Sequence, residues 1–527
     1  RRAVDRAMRE GGAEASVSAA RRRTVPAAPA PPLTVRTLAA APADTARDEH
    51  WRSATFRGAG WAIGRTATVY LLAGLVQAVI SAVLLLRFQG VELQPLRTAI
   101  SVWSYAWPIV LTLALIWARD RRRVWTATAV YFGVLVLLGL YAEAVTDAPS
   151  LHVAGIPLPA IVQPLLVWAG PAVPTGILLL FLNRRVRAIG PLLLTVLLVA
   201  LAGVDVVRLV MAGPRASAAN EYPVLFYLLQ ALGFALFAIP GYALAVWLRN
   251  RYLRKRLSDQ TLILDTVWLL ASVVLCSSLA VDRPEWAWLG LTAFAGYKLV
   301  VRLGLGPLEG AARARPPARL LLLRVFGDQA RSEHLLDLLG ARWRYAGPIQ
   351  LIAGTDLATS NIEPDEFLDF LSNRLHTRFI HTDAERDARL QQVDVAPDPD
   401  GRFRVNEFFC ASGTWQGTVQ ALMATSDLVV MDLRGFSPAN QGCVFELGAL
   451  VDTVPIDRVV FLVDASTDEP FLQRTLDGIW RSMRADSPNA GAARATATLL
   501  ATTGREAASV RALTQTGDRL LATAASG

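Results

Sequence analysis

The chain has 527 residues, enough for several domains, and only 18% of them are charged against about 25% in ordinary soluble domains. Its net charge of +9 is carried by arginine, with lysine only at Lys255 and Lys298, and the arginines gather beside apolar runs. That placement fits a membrane surface and argues against a nucleic-acid partner, while three cysteines without ligand spacing exclude a disulfide framework or a zinc site.

Residues 1–60 are rich in Ala, Arg and Pro and lack sustained periodicity, which predicts a disordered basic arm. No apolar core precedes residue 66, so no secretory signal is expected. Residues 61–305 then carry runs of bilayer length, about 20 apolar residues each. They lie at 66–86, 99–118, 124–146, 161–182, 189–212, 223–248, 261–281 and 286–303, predicting a polytopic α-helical membrane domain of about eight spans.

The loops set the expected orientation. RDRRR follows the second run, NRRVR the fourth, RNRYLRKR the sixth and ARARPPAR the eighth, whereas TDAPSLHVAG has no positive charge and VDRPE has one. Cytoplasmic loops retain Arg and Lys, so an integral, multi-pass protein of the cytoplasmic membrane is expected, with both termini cytoplasmic.

Ionisable groups inside spans are the usual pointer to transport. Asp205 and Arg208 stand three apart, Glu143 lies near the end of the third run, and Asp265 lies near the start of the seventh. A local ion pair and interfacial carboxylates account for them. Pro108, Pro164, Pro171, Pro174 and Pro240 are accounted for by kinks. A transporter with a regulatory cytoplasmic domain stays open as an alternative.

A linker is expected at 306–318, followed by a cytoplasmic α/β domain at 319–527. Strands are expected at 320–326, 349–353, 403–409, 428–433, 458–463 and 496–502. Helices are expected at 332–345, 363–379, 414–425, 469–483 and 506–523, with one more after 443. Such alternation predicts a doubly wound, mostly parallel sheet. Ligands bind outside the carboxyl ends of its strands. Gly327 and Asp328, Gly354 and Asp356, and Asp432, Arg434 and Ser437 all fall there, while Asp427 falls at the opposite end as a turn residue. Glu446 is placed in the first turn of the next helix.

The stretch TSDLVVMDLRGFSPANQGCVFELGAL (425–450) resembles the segment of Toll/interleukin-receptor (TIR) domains in which a strand, a Ser-containing loop and a Cys lead into a helix with a catalytic glutamate. Those positions are 428–433, Ser437, Cys443 and Glu446. It resembles equally the nucleoside deoxyribosyltransferases, in which an acidic residue and a glycine precede a nucleophilic Glu-hydrophobic-Gly. Those positions fall on Asn440, Gly442 and Glu446-Leu447-Gly448, with Asn440 where that family has aspartate. The resemblance covers about 160 residues, is tight over about 25, and implies a flavodoxin-like fold.

Both resemblances imply attack at the anomeric carbon of an N-glycosidic bond, in NAD or in a nucleoside. Such chemistry needs a carboxylate beside a developing oxocarbenium ion. Glu446 is the candidate, with Asp432 and Ser437 beside it. Gly442 allows close approach of a ribose, Trp415 and Phe436 offer faces for a base, and Arg324 or Arg434 can hold a phosphate. Gly327, Gly354, Asp356 and Asn440 complete the expected binding set. Each also has a structural reading: a Glu early in a helix answers the dipole, Asp432 and Ser437 cap loops, and Trp415 fills a core. His334, His376 and His381 lack partners at ligand spacing, so no metal is expected, and no cofactor beyond NAD or a nucleotide as substrate.

The resulting expectation is a membrane-tethered nucleotide-processing enzyme, a defence effector on family analogy alone. The alternative is a non-catalytic signalling or nucleotide-sensing module. The expected partners are the lipid bilayer, a nucleotide, and further copies of the chain, because confinement in a membrane raises effective concentration.

Overall fold

The computed structural model describes residues 32–39, 59–90, 92–116, 121–145, 152–153, 156–157, 175, 184–211, 222–280, 284–314, 316–325, 329–353, 379–411, 413–491, 495–502 and 506–526. The chain divides into two compact units, one mainly residues 63–308, the other uniting 1–62 with 309–360 and 370–527.

The first unit is helical: α1 (Ala59–Phe88), α2 (Pro95–Tyr105), α3 (Ile109–Ile116), α4 (Arg121–Val145), α5 (Arg184–Val210), α6 (Pro223–Leu253), α7 (Asp259–Ala280) and α8 (Gly290–Arg313). Among the described residues six helices are long and apolar enough to cross a membrane, or seven if the bent pair α2–α3 is one span. That pair bends by 52°. Pro108 at the break has no N–H to continue the ladder. Seven of the eight expected runs therefore coincide with helical elements, and the run 161–182, Thr175 apart, lies outside the described residues.

Small residues and buried polar pairs hold these helices together, as apolar surroundings require. A Cβ on Gly203 or Gly233 would collide with the other's backbone, so α5 and α6 meet there closely. Trp268 on α7 is fully buried and stacks on Tyr297 of α8 at 5.6 Å. Gln77 donates to the Trp268 carbonyl at 2.7 Å and to Ser272 at 2.9 Å. Lys298 pairs with Asp265 at 2.6 Å, so Asp265 is neutralised by a neighbouring helix. Asp205 and Arg208 form the local pair expected of them, at 3.6 Å.

The second unit holds a sheet of seven parallel strands: β1 (Leu33–Ala39), β2 (Leu320–Arg324), β3 (Ile349–Ala353), β4 (Val405–Phe409), β5 (Leu428–Asp432), β6 (Val459–Val463) and β7 (Ala495–Ala501). Their order is β1-β7-β6-β5-β2-β3-β4. Alternate side chains enter opposite cores, Leu321, Leu323, Val429 and Met431 on one face, Leu320, Leu322, Leu428 and Val430 on the other. The first face is covered by α11 (Trp415–Thr425), α12 (Gln441–Thr453) and α13 (Glu469–Arg481), and the second by α9 (Gln329–Trp343) and α14 (Glu506–Ser526).

Two expectations are corrected. The arm at 1–60 is not wholly irregular, because residues 33–39 pair in register with 495–501. The segment LTVRTLA is short but β-branched at Thr34, Val35 and Thr37, and it gains order from the edge of β7 rather than from its own burial. The linker at 306–318 is helical as far as Arg313, since Leu305 and Leu308 are buried and Glu309 pairs with Arg313. Between 379 and 403, where no element was expected, the chain forms a further helix, α10 (Asp383–Gln391), started by a capping box of Thr382 and Glu385. The helix expected at 363–379 lies almost wholly outside the described residues.

Candidate functional site

From β2 the chain winds outward through α9 to β3, and from β5 it winds the other way through α12 to β6. The neighbours β2 and β5 therefore mark the topological switch point, where an open parallel sheet leaves a crevice at its C-terminal edge. The last residues of these strands, Arg324 and Asp432, are register partners. Both are buried.

The loop leaving β5 is tightly bonded. Gly435 takes φ +76, a left-handed conformation that glycine adopts without strain. Ser437 donates from its amide and its hydroxyl to Asn440 Oδ1, at 2.9 and 3.0 Å. Asn440 precedes α12, and its carbonyl accepts from the amides of Cys443 and Val444. Ser437 and Asn440 thus shape the loop that leads into α12. Asp432 receives Arg434 in a two-pronged pair, Nε to Oδ1 at 2.8 Å and Nη2 to Oδ2 at 2.7 Å.

Glu446 lies in the second turn of α12, since the helix starts at Gln441 and its first turn holds no acid. This corrects the expected first-turn position and its electrostatic consequence. The helix dipole acts within about one turn, so burial dominates instead. It pushes the Glu446 carboxyl up to about 8, with the Arg324 charge opposing the rise. The carboxyl is therefore mostly neutral at pH 7, and Oε2 is buried without a hydrogen-bond partner.

Cys443 joins the same cluster, its thiol contacting the Arg324 carbonyl at 3.9 Å. Burial, and then the charges of Glu446 and Asp432, push that thiol well above its ordinary range. It remains protonated and is a poor nucleophile.

The expected residues separate by position. Arg324, Asp432, Arg434, Ser437, Asn440, Gly442 and Glu446 gather around the switch point. Phe436 does not serve as a stacking face: it is fully buried and packs on Phe471 at 5.3 Å. Trp415 is half-buried and meets Phe445 edge-on at 5.3 Å. A Cβ at Gly442 would meet nothing closer than the Trp415 ring at 4.0 Å, so packing within the protein does not demand glycine there. Gly327, Asp328, Gly354 and Asp356 lie outside the described residues. Asp427, at the opposite end of β5, accepts from the Arg319 amide at 2.8 Å, in keeping with a structural role.

Sequence reasoning passed over Arg331, Asp464 and Ser466. Arg331 Nη1 reaches Asp464 Oδ2 and Ser466 Oγ, both at 3.4 Å. Asp464 directly follows β6, so the rule applied to the other strand ends would have found it. Among the described residues no group of three or more His, Cys, Asp or Glu side chains is placed to hold a metal ion.

Compared with known proteins, the chain matches no family model, no curated protein and no solved structure.

Proposed function

We propose that this is a multi-pass membrane protein whose α/β domain cleaves an N-glycosidic bond in NAD or a related nucleoside or nucleotide. The observation that carries the reading is Glu446, a buried carboxyl at the switch point with one oxygen unbonded and Arg324 beside it. The scissile ribosyl group would lie over α12, where Gly442 leaves room for backbone approach. As the base departs, positive charge grows on the anomeric carbon. Ionised Glu446 stabilises that charge or bonds to the carbon, and water then completes hydrolysis. A substrate with a cationic base, such as the nicotinamide ribosyl of NAD, favours the ionised carboxylate by its own charge.

The test is to incubate the full chain in lipid nanodiscs with NAD and with nucleosides, and to measure free base. Release that Glu446→Gln abolishes supports the reading, and release that survives this substitution removes Glu446 from the chemistry. The full chain is the right material because a 319–527 fragment lacks β1.

A second reading, a nucleotide-binding signalling module without turnover, is favoured by one observation. A carboxyl that is mostly neutral at pH 7 is poorly prepared to act as a nucleophile. Nucleotide binding with no free base released would decide for it.

A further inference from the structure

The helical unit holds a buried polar seam of its own. On α1, Thr66, Tyr70, Gln77 and Ser81 are all buried, at spacings that keep them on one helix face. They meet a matching row on α7 and just before it. Tyr70 OH and Thr261 Oγ1 lie 2.9 Å apart, Thr261 Oγ1 and Ser258 Oγ also 2.9 Å, and Gln77 donates to Ser272 at 2.9 Å.

Asp265 falls between Thr261 and Ser272 on α7. Its Oδ2 accepts from Lys298 at 2.6 Å, while its Oδ1 is buried without a hydrogen bond. The hydroxyl of Tyr297, a fully buried residue of α8, is likewise unbonded. Asp265 and Tyr70 both act on it electrostatically, and the Tyr70 ring centroid is 6.5 Å from its own. Among the described residues, Lys298 and Tyr297 are the titratable groups that act on Asp265. Thr66 Oγ1 and Gln77 Oε1 are buried and unbonded as well.

A plain ion pair asks for none of this. Unbonded polar atoms are expensive in apolar surroundings, and they ordinarily hold water or carry a function. A row of hydroxyls has a further property. Every link can donate or accept, so a proton passes along it and leaves it unchanged. The bonds joining Tyr70, Thr261 and Ser258 are of that kind, since either oxygen of each can donate. Ser258 adjoins the turn after α6, where Arg254 and Arg256 are exposed. The row therefore leads from that turn toward the unbonded oxygen of Asp265.

We propose that Asp265 is a proton-accepting site inside the helical unit, reached from the start of α7 through the hydroxyls of Ser258, Thr261, Tyr70 and Tyr297, with bound water completing the path. The proton comes from solvent hydronium and ends on Asp265 Oδ1. Each hydroxyl gives up one proton and takes one, and Lys298 keeps its own, so the pair passes from neutral to singly positive. Lys298 thereby loses its anionic partner, which makes this contact between α7 and α8 depend on the proton. None of this rests on the chemistry proposed for Glu446.

The test is infrared difference spectroscopy of the full chain in nanodiscs after a pH jump, in a Glu446→Gln background that silences the other buried carboxyl. A carboxylic-acid carbonyl band is expected to grow as pH falls. Asp265→Asn combined with Lys298→Met, which removes both charges together, loses the band, and Asp265→Glu shifts it without losing it. Tyr70→Phe keeps the ring and the band but slows its appearance by about tenfold or more. Tyr131→Phe removes a hydroxyl that donates to the Trp103 carbonyl, outside this path, and leaves band and rate as they are. If no band depends on Asp265 at any pH at which the helices stay folded, the site is overturned. An unchanged rate in Tyr70→Phe, or equal slowing in Tyr131→Phe, overturns the path.

Discussion

Arg434 lies against Asp432 with both prongs of its guanidinium engaged, at 2.8 and 2.7 Å, and both side chains are buried. Such a pair adds little net stability over apolar residues of equal volume, but removing one partner strands the other charge. Asp432→Ala is expected to destabilise the α/β unit by about 3–5 kcal/mol. The double change Asp432→Ala with Arg434→Met should recover part of that loss. Chemical denaturation followed by Trp fluorescence measures both, and a single substitution that costs less than about 0.5 kcal/mol would contradict the pairing.

Glu446 carries a pH signature with a definite sign. Its carboxyl is raised from an ordinary 4.5 to about 8 in the folded protein. Between those values the unfolded chain has lost the proton that the folded chain retains, so this group's contribution to stability falls as pH rises. Below pH 4.5 the penalty is absent, and above about 8 it is complete. Glu446→Gln should therefore stabilise the protein by about 2 kcal/mol or more at pH 8 and by little at pH 4. Denaturation midpoints for wild type and variant across that range provide the check, and a difference independent of pH would show that the carboxyl ionises normally.

Phe436 and Trp415 should respond in opposite ways. Phe436→Ala removes a fully buried ring and is expected to cost about 3–5 kcal/mol of stability. Trp415, half-buried beside Gly442, is the aromatic that the proposed function assigns to a base. Trp415→Ala should weaken nucleotide binding more than it lowers stability. Parallel binding and unfolding measurements separate the two effects, and the reverse ranking would exclude Trp415 as a stacking face.

The orientation expected from the loops is open to labelling. Cysteine introduced at Ser150 should react with a membrane-impermeant maleimide on intact cells, whereas cysteine at Val186 should react only after permeabilisation. The opposite pattern would put the α/β unit outside.

Activity, where it is found, is expected to rise with the density of the protein in the membrane, because confinement in two dimensions favours contacts between copies. Reconstitution at several protein-to-lipid ratios tests this. A specific activity that stays flat across the ratios would argue against assembly.

The sequence carried the sheet well where its pattern was self-sufficient. Runs such as LVVMD and VVFLV are apolar on both faces and bounded by polar residues, so β5 and β6 were legible almost to the residue. The strand LTVRTLA was not, since only the neighbouring β7, some 450 residues later, makes it one. Glu446 was found through its motif, but its second-turn position and its neutrality depend on where α12 starts and on how much surrounds it. Phe436 looked like a ligand face because chain position alone cannot tell an outward ring from one packed on Phe471. The contact between Arg331 and Asp464 escaped because it comes from strand order, which places β5 between β2 and β6.

The pairing of β1 with β7 also acts as an arithmetic constraint on the membrane path. Among the described residues, 33–39 precede the first long apolar helix and 495–501 follow the last, yet they share one ladder. For a helical array that crosses a bilayer, this pairing requires both ends to open into the same aqueous compartment and the number of crossings between them to be even. Six crossings meet that condition when α2 and α3 together form a re-entrant turn. Seven do not. A hydrogen-bonded ladder between the two ends of the chain thus turns the count of crossings into a question of parity, which glycosylation-site insertion measures.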